Sequence, residues 1–367
     1  MPAATLEGTS QPPERASLAV QSETPLLIGV DGGATQVRAH AIEAVGGDLT
    51  TAFQRAAFTY EVLPGFEPAP LDQQIAECEG DRVRVGDLER EQGERWIDAC
   101  AHAIESVAAG AGRARVVVGM CMPGLKTRAG RGIDAMRNGP RVPDFLDRLE
   151  GRIARAGIVL ATPIARLESD GDACGHGEEA SPDGSFRGVA NASYVGGGTG
   201  LAECFKLEGR VTSLDELDGA VTKAWAMKSS IRRSYEDHIS VRGIDARWTE
   251  LGGAGGVRPE EALPRGDLAA IQAFSECVVM LDELLRARIA SLERLGSSPL
   301  ERFVVGQRLG VLLASPGLSM LRASAERACP IDLCFSTLQA APAIGAARLA
   351  LEAWRRAAPT GGATHAV

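Results

Sequence analysis

The chain has 367 residues, 45% hydrophobic and 24% charged, a globular composition too long for one ordinary core and suited to two domains. A formal net charge of −9 excludes an overall basic field for nucleic acid or an anionic membrane, and no apolar run reaches the length of a membrane span. Eight cysteines without a CxxC pair exclude a disulfide framework or a zinc ribbon and point to reduced, mostly buried thiols in a cytoplasmic protein.

Residues 1–24 have no apolar core of signal-peptide type and read as a disordered tail. Residues 26–30 form a short apolar strand that runs into the tight turn Asp31-Gly32-Gly33. Residues 37–42 alternate and return as a second strand, which predicts a hairpin. Residues 65–90 are rich in Pro, Gly and charge and read as a surface excursion with no assigned structure. The period over 87–109 predicts a helix with Trp96, Cys100, Ile104 and Val107 on one face. Residues 116–122 are apolar throughout, as in a strand covered on both faces, and Pro123-Gly124 closes it. A helix over 145–156 and a strand over 158–160 follow. The polar stretch 178–188 is expected to be a hinge or an interdomain loop. A second hairpin pairs 189–195 with 201–207 around Gly196-Gly197-Gly198-Thr199-Gly200, and Glu208-Gly209-Arg210 makes the next turn. A helix-rich region spans 217–295, broken at 252–256. A late strand at 303–306 and a closing helix at 342–356 complete the chain.

The turns carry the chemistry. In Asp31-Gly32-Gly33-Ala34-Thr35 a carboxylate at a strand end precedes two glycines and a hydroxyl. Glycines let backbone N–H groups approach phosphate oxygens, and Thr35 can donate to them. Asp31 suits the outer shell of a magnesium ion. Ordinary hairpin chemistry is the competing reading. The turn around Thr199 repeats the idea, against the alternative of a flexible loop; two such turns can clamp a triphosphate between two related domains. Between them, residues 168–178 hold several carboxylates. Asp170 suits the base that takes a proton from an attacking hydroxyl, against an N-cap or a calcium-type acidic loop. His176 has no partner histidine at metal spacing and reads as structural.

Together these motifs resemble the ROK family (repressor, open reading frame, kinase) of the actin and hexokinase superfamily. Residues 27–35 resemble its first phosphate motif, and 118–124 its strand ending in Pro-Gly. Residues 168–178 resemble the pattern ENDANAAALGE, with the catalytic Asp on Asp170. Gly198-Thr199-Gly200 resembles the second phosphate motif, and residues 206–210 the hairpin turn after it. Residues 304–310 are similar to an adenosine motif, and 341–347 to the last connecting helix. The resemblance implies an α/β fold of two actin-like, ribonuclease H-like domains with mixed sheets, flanking helices and an ATP cleft between them. The expected units are 25–175 with about 340–367, and 176–339. It implies ATP held by Gly32, Gly33, Thr35, Gly198, Thr199, Gly200, Gly306 and Gln307, magnesium near Asp31, and by analogy a homodimer with no nucleic-acid or membrane partner.

The departures lie where a ROK glucokinase grips its sugar. Ser169 stands for the family's Asn. Arg141-Val142-Pro143-Asp144-Phe145 stands for Asn-Leu-Pro-Gly-Trp, and Glu216-Leu217-Asp218-Gly219 lacks the His of Glu-Leu-Gly-His. The cysteine-rich zinc loop is absent. The expected acceptor contacts are therefore Ser169, Asp172, Glu216 and Arg141, and the chain resembles kinases of seven-carbon cyclitols. Alternatives are a hexose or N-acetylhexosamine kinase, an ATPase of the benzoyl-CoA-reductase-activator type, and a non-catalytic sugar sensor. A ROK repressor needs an N-terminal helix-turn-helix, for which the residues before the first strand are expected to be too few.

Overall fold

The computed structural model describes residues 24–33, 35–80, 82–217, 219–253 and 255–357. All but the last residue of the expected N-terminal tail lies outside them. In chain order, β1 (Leu26–Gly32), β2 (Gln36–Val45) and β3 (Asp48–Thr59) form an antiparallel meander. The helices α1 (Leu71–Glu79) and α2 (Asp87–Gly110) lead to β4 (Arg115–Met122), which joins β1 in parallel. A small hairpin of β5 (Leu125–Lys126) and β6 (Ile133–Ala135) precedes α3 (Phe145–Arg155). The short strands β7 (Val159–Leu160) and β8 (Leu167–Ser169) then pair with the start and the end of β4, and α4 (Asp170–Ala180) begins directly at the end of β8.

The pattern then repeats. β9 (Ala192–Gly197), β10 (Leu201–Leu207) and β11 (Arg210–Thr212) form a second meander. Four helices follow, α5 (Glu236–Ile239), α6 (Val241–Glu250), α7 (Pro259–Ala262) and α8 (Leu268–Arg294). Strand β12 (Arg302–Gly306) is parallel to β9; α9 (Gln307–Ala314) and α10 (Ser319–Ala328) lead to β13 (Asp332–Phe335), and α11 (Ala341–Ala357) returns to the first sheet. One sheet runs β3-β2-β1-β4-β7 and the other β11-β10-β9-β12-β13, the same path from the same kind of connections. Each has its own core: one gathers Ile28, Trp96, Met120 and Leu149, the other Val195, Phe274, Leu284 and Phe303. No helix among the described residues is long and apolar enough to cross a membrane. All eight cysteines are free thiols, five of them buried.

Strand β4 shows why an all-apolar run is required. Val116, Val118, Met120 and Met122 enter the core with Trp96 and Ile104 of α2, while Val117 faces Ile344 and Ala347 of α11. Alternate side chains point to opposite faces, and both faces are covered. Helix α11 lies so close that a Cβ on Gly29 or Gly119 would fall 2.0 Å from a carbonyl oxygen of the helix. It crosses α4 with equal intimacy: a Cβ on Gly345 would lie 1.8 Å from Ala173 O, and one on Gly177 2.0 Å from Ala341 O. Glycine at these positions lets backbone pack on backbone, which fixes α4 relative to the sheet.

Three expectations are corrected. The excursion 65–90 contains α1, because the Gln74 amide exchanges hydrogen bonds with the Met136 backbone (2.7 and 3.0 Å) and seats the segment on β6. The stretch 178–188, expected as a hinge or an interdomain loop, does lead from α4 toward β9, but it is tied in place. Helix α4 continues through its first residues, and the buried Glu178 carboxylate accepts from Ser185 N (2.7 Å) and Ser336 Oγ (2.5 Å). The first hairpin gains a third strand, β3, whose half-exposed edge carries little apolar pattern.

Candidate active site

The two halves enclose a cleft of about 1680 Å³, and the ends of β1, β8, the β9–β10 turn and β12 all open into it. These four points deliver Asp31, Asp170, Gly198 to Gly200, and Gln307 to one cavity. Gly33 and Thr35 line it as well. Gly32 and Gly306 do not: a Cβ on Gly32 would sit 2.9 Å from the Met122 side chain, and one on Gly306 2.3 Å from the Tyr194 hydroxyl. Their part is to let the strand ends pass these side chains, so they are withdrawn from the set that faces a ligand.

Asp170 is the first residue of α4. Ser169 caps the helix, its Oγ accepting from Asp172 N at 3.4 Å, and Gly171 lets the helix tip rest on β10, where a Cβ would fall 2.3 Å from Glu203 O. The Asp170 carboxylate accepts from Gly171 N at 3.0 Å. Burial pushes its carboxyl upward; the Lys126 ammonium and the Gly171 N–H oppose that. Burial likewise pushes Asp31 up to about 6, with Arg38 (3.8 Å away) opposing and the Asp170 charge adding to the rise. Asp172 also reaches about 6 through burial, against a hydrogen bond from Ser213.

These shifts have a sign. A carboxyl raised from 3.8 to about 6 makes the folded state hold more protons than the unfolded one between those values. Stability from this group is therefore lost as pH rises from about 4 to about 6, and is level above. Asp31→Asn removes the penalty. Its stability relative to wild type should rise by about 1–3 kcal/mol between pH 4 and pH 7. Thermal melts of both proteins across that range check it, and a difference that stays flat would refute it.

The turn around Thr199 is braced. Gly198 N donates to Gly200 O at 3.0 Å, and Val241 N to Gly198 O at 3.0 Å. Glu236 Oε2 accepts from Leu201 N at 3.1 Å, while its Oε1 accepts from Arg137 of the opposite half at 2.8 Å. Glycines are needed because Glu236 presses on one side, 2.8 Å from a Cβ on Gly200, and Gln307 on the other, 2.8 Å from a Cβ on Gly196. Gln307 itself takes φ 53°, a left-handed conformation uncommon outside glycine, at the β12–α9 junction.

Ser169, Asp172 and Glu216 line the same cleft beside Asp170. Glu216 is held by Arg210 at 2.8 Å and accepts from Ser213 N at 3.3 Å. Arg141 is the correction. It is 4% exposed, its guanidinium donates to Glu89 and Glu77 at 2.9 and 2.5 Å and to Arg84 O at 2.7 Å, and it lies outside the cavity lining. It clamps α1 to α2 with four of its five N–H donors taken, and it stands outside the cleft, away from an acceptor hydroxyl. His176 lines the cavity with Nδ1 unpartnered, and burial lowers it to about 4, so it presents a neutral imidazole. The residues that sequence reasoning missed are Glu236, Lys126, Lys223 and the pair Arg137–Trp225, stacked at 5.8 Å. Single residues such as Lys126 in the two-residue strand β5 and Glu236 at the start of α5 carry no spacing by which to find them.

No protein-family model and no curated protein sequence matches the chain. Solved structures do. A ROK family glucokinase from Streptomyces griseus, in complex with glucose and AMPPNP, is 17% identical with a TM-score of 0.61, covering 89% of this chain and 99% of that one. The ROK hexokinase from Thermus thermophilus is 18% identical with a TM-score of 0.56, covering 90% and 99%. A ROK family transcriptional regulator, homologous to the Escherichia coli MLC protein, is 13% identical with a TM-score of 0.50, covering 90% and 79%. The chain has the two-domain actin-like fold of these proteins, as the resemblance implied.

Proposed function

We propose that this chain is an ATP- and magnesium-dependent kinase of ROK type that phosphorylates a hydroxyl of a sugar-like polyol. The observation that carries this is the convergence of Asp31, Asp170 and both Gly-Thr turns on one cleft. The fold alone does not decide it, since kinases and a regulator share it.

ATP enters as substrate, its phosphates against Gly33, Thr35 and the braced turn at Thr199. Asp31, half-buried at the end of β1 and 3.8 Å from Arg38, would stand in the outer shell of the magnesium ion that accompanies the phosphates. Magnesium, when bound, neutralises charge on the transferring phosphates. Asp170 then takes the proton of the acceptor hydroxyl. Ser169, Asp172 and Glu216 hold the acceptor's other hydroxyls, and closure of the two halves keeps water from the γ-phosphate. The free thiols suit the reducing cytoplasm. The exchange of the family's Asn for Ser169, and the loss of its His after Glu216, favour a polyol other than glucose; a seven-carbon cyclitol with a primary hydroxyl is the acceptor we propose.

The test is direct. Hexoses, N-acetylhexosamines and cyclitols are incubated with the protein and Mg-ATP, and phosphorylated products are sought by mass. A phosphorylated polyol supports the kinase reading. ATP consumed with no phosphorylated acceptor would point to an activator-type ATPase. Binding of sugar with no ATP consumption would point to a sensor.

A further inference from the structure

Two arginines, one from each half, meet a single carboxylate in the cleft, and the mechanism above gives none of the three a role. Arg137 belongs to the loop between β6 and α3, in the first half. Glu236 opens α5 and Arg242 lies in the first turn of α6, both in the second half. Glu236 Oε1 accepts from Arg137 at 2.8 Å and from Arg242 at 3.2 Å. Its other oxygen, Oε2, accepts from Leu201 N at 3.1 Å and presses on Gly200, where a Cβ would lie 2.8 Å from it. The Glu236 side chain is 8% exposed, against 39% for Arg137 and 46% for Arg242. Two more contacts fix the crossing. The Arg137 guanidinium lies over the Trp225 ring of the second half at 5.8 Å, and Arg242 donates to Asn138 Oδ1, next to Arg137, at 3.1 Å. All five side chains line the cleft.

The charges decide what this cluster does. A lone carboxylate against Gly200 would repel phosphate oxygens at the very turn that offers them backbone donors. Arg242, from the same half, cancels that charge. Arg137 brings a second guanidinium to the same oxygen, so the trio carries a net positive charge. That surplus stands beside the Thr199 turn only while the first half is in place. Asp31 and Asp170 bring further negative charge to the cleft, so a triphosphate gains from a cation at this turn. We propose that Arg137 is a positioning residue for the nucleotide: reaching over from the first half, it turns the carboxylate that braces the Thr199 turn into part of a net positive neighbour of phosphate. This rests on the reading that the turn holds the phosphates of ATP. Arg137 acts through Glu236 and needs no contact of its own with the ligand. The turn reaches full affinity only when both halves contribute, which ties phosphate binding to the closed cleft. An ion pair that merely joined the halves would behave differently in solution. It would alter the melting temperature and leave nucleotide affinity alone.

The test uses the full chain and reads Mg-AMPPNP binding by calorimetry at low and high salt. Arg137→Gln keeps a donor for Glu236 and removes only the charge. It should weaken AMPPNP about ten-fold at low salt. The deficit should shrink at about 1 M salt, where the Debye length falls to about 3 Å. Arg137→Lys, which keeps the charge, should restore most of the affinity. A folded Arg137→Gln that binds AMPPNP as tightly as wild type overturns the proposal and leaves the kinase reading standing. So does a deficit that salt does not change and lysine does not repair. A wild-type protein that binds no AMPPNP overturns the ATP reading and this proposal with it. Should Arg137→Gln not fold, Glu236→Gln reads the same balance with the opposite sign. It removes the negative charge and keeps an oxygen for Leu201 N, so it should bind AMPPNP about ten-fold more tightly at low salt. Unchanged or weaker binding there overturns the proposal.

Discussion

Asp170→Asn should fold, bind ATP and turn over about 10²–10⁴-fold more slowly than wild type. Asn keeps an oxygen where Asp170 accepts from Gly171 N, and Ser169 still caps α4. The substitution also removes a charge that burial penalises, so the melting temperature at neutral pH should not fall. The loss then belongs to proton acceptance alone. Calorimetry should show ATP affinity intact while kcat collapses. Turnover near the wild-type rate would dismiss Asp170 as the base, and loss of fold would mean that the α4 tip depends on this carboxylate for structure.

Gly345→Val should destabilise the protein by about 3 kcal/mol or more. Helix propensity alone argues the other way, since valine exceeds glycine in a helix interior by up to about 0.5 kcal/mol. Packing decides the sign. Even the first added carbon would lie 1.8 Å from Ala173 O and 2.7 Å from Gly177 N, and both are backbone atoms that cannot swing aside. The α4 and α11 axes must part. Because Asp170 is the tip of α4, parting them also moves the base, and a displacement of about 1 Å can cost about 10²-fold in rate. Thermal denaturation should show a fall of about 6 °C or more. A valine variant of wild-type stability and rate would show that the helices do not meet backbone to backbone.

Much of this was legible in the sequence for physical reasons. Strands β1, β4 and β12 are buried on both faces, so their apolar runs stand out. The two glycine turns are legible because phosphate chemistry and close packing both demand the same residue. Asp170 is legible because a carboxylate at a strand-to-helix junction is a strong local pattern. Strand β3 is not, since an edge strand half in solvent needs no apolar face. Arg141 was misjudged because its partners, Glu77 and Glu89, come from α1 and α2, far away in the chain. Glu236 escaped for a related reason: its partners, Leu201 N and Arg137, come from β10 and from the opposite half.

The backbone-to-backbone seat of α11 on β1, β4 and α4 has a consequence for synthesis. Residues 341–357 leave the ribosome after every other element of the first sheet. Until they arrive, one side of β1 and β4 is bare hydrocarbon, exposed to whatever a crowded cell offers it. A nascent chain paused before residue 341 therefore holds a half-clad sheet and an α4 with nothing to seat it, and the cleft wall that Asp170 belongs to is complete only once translation has passed that point.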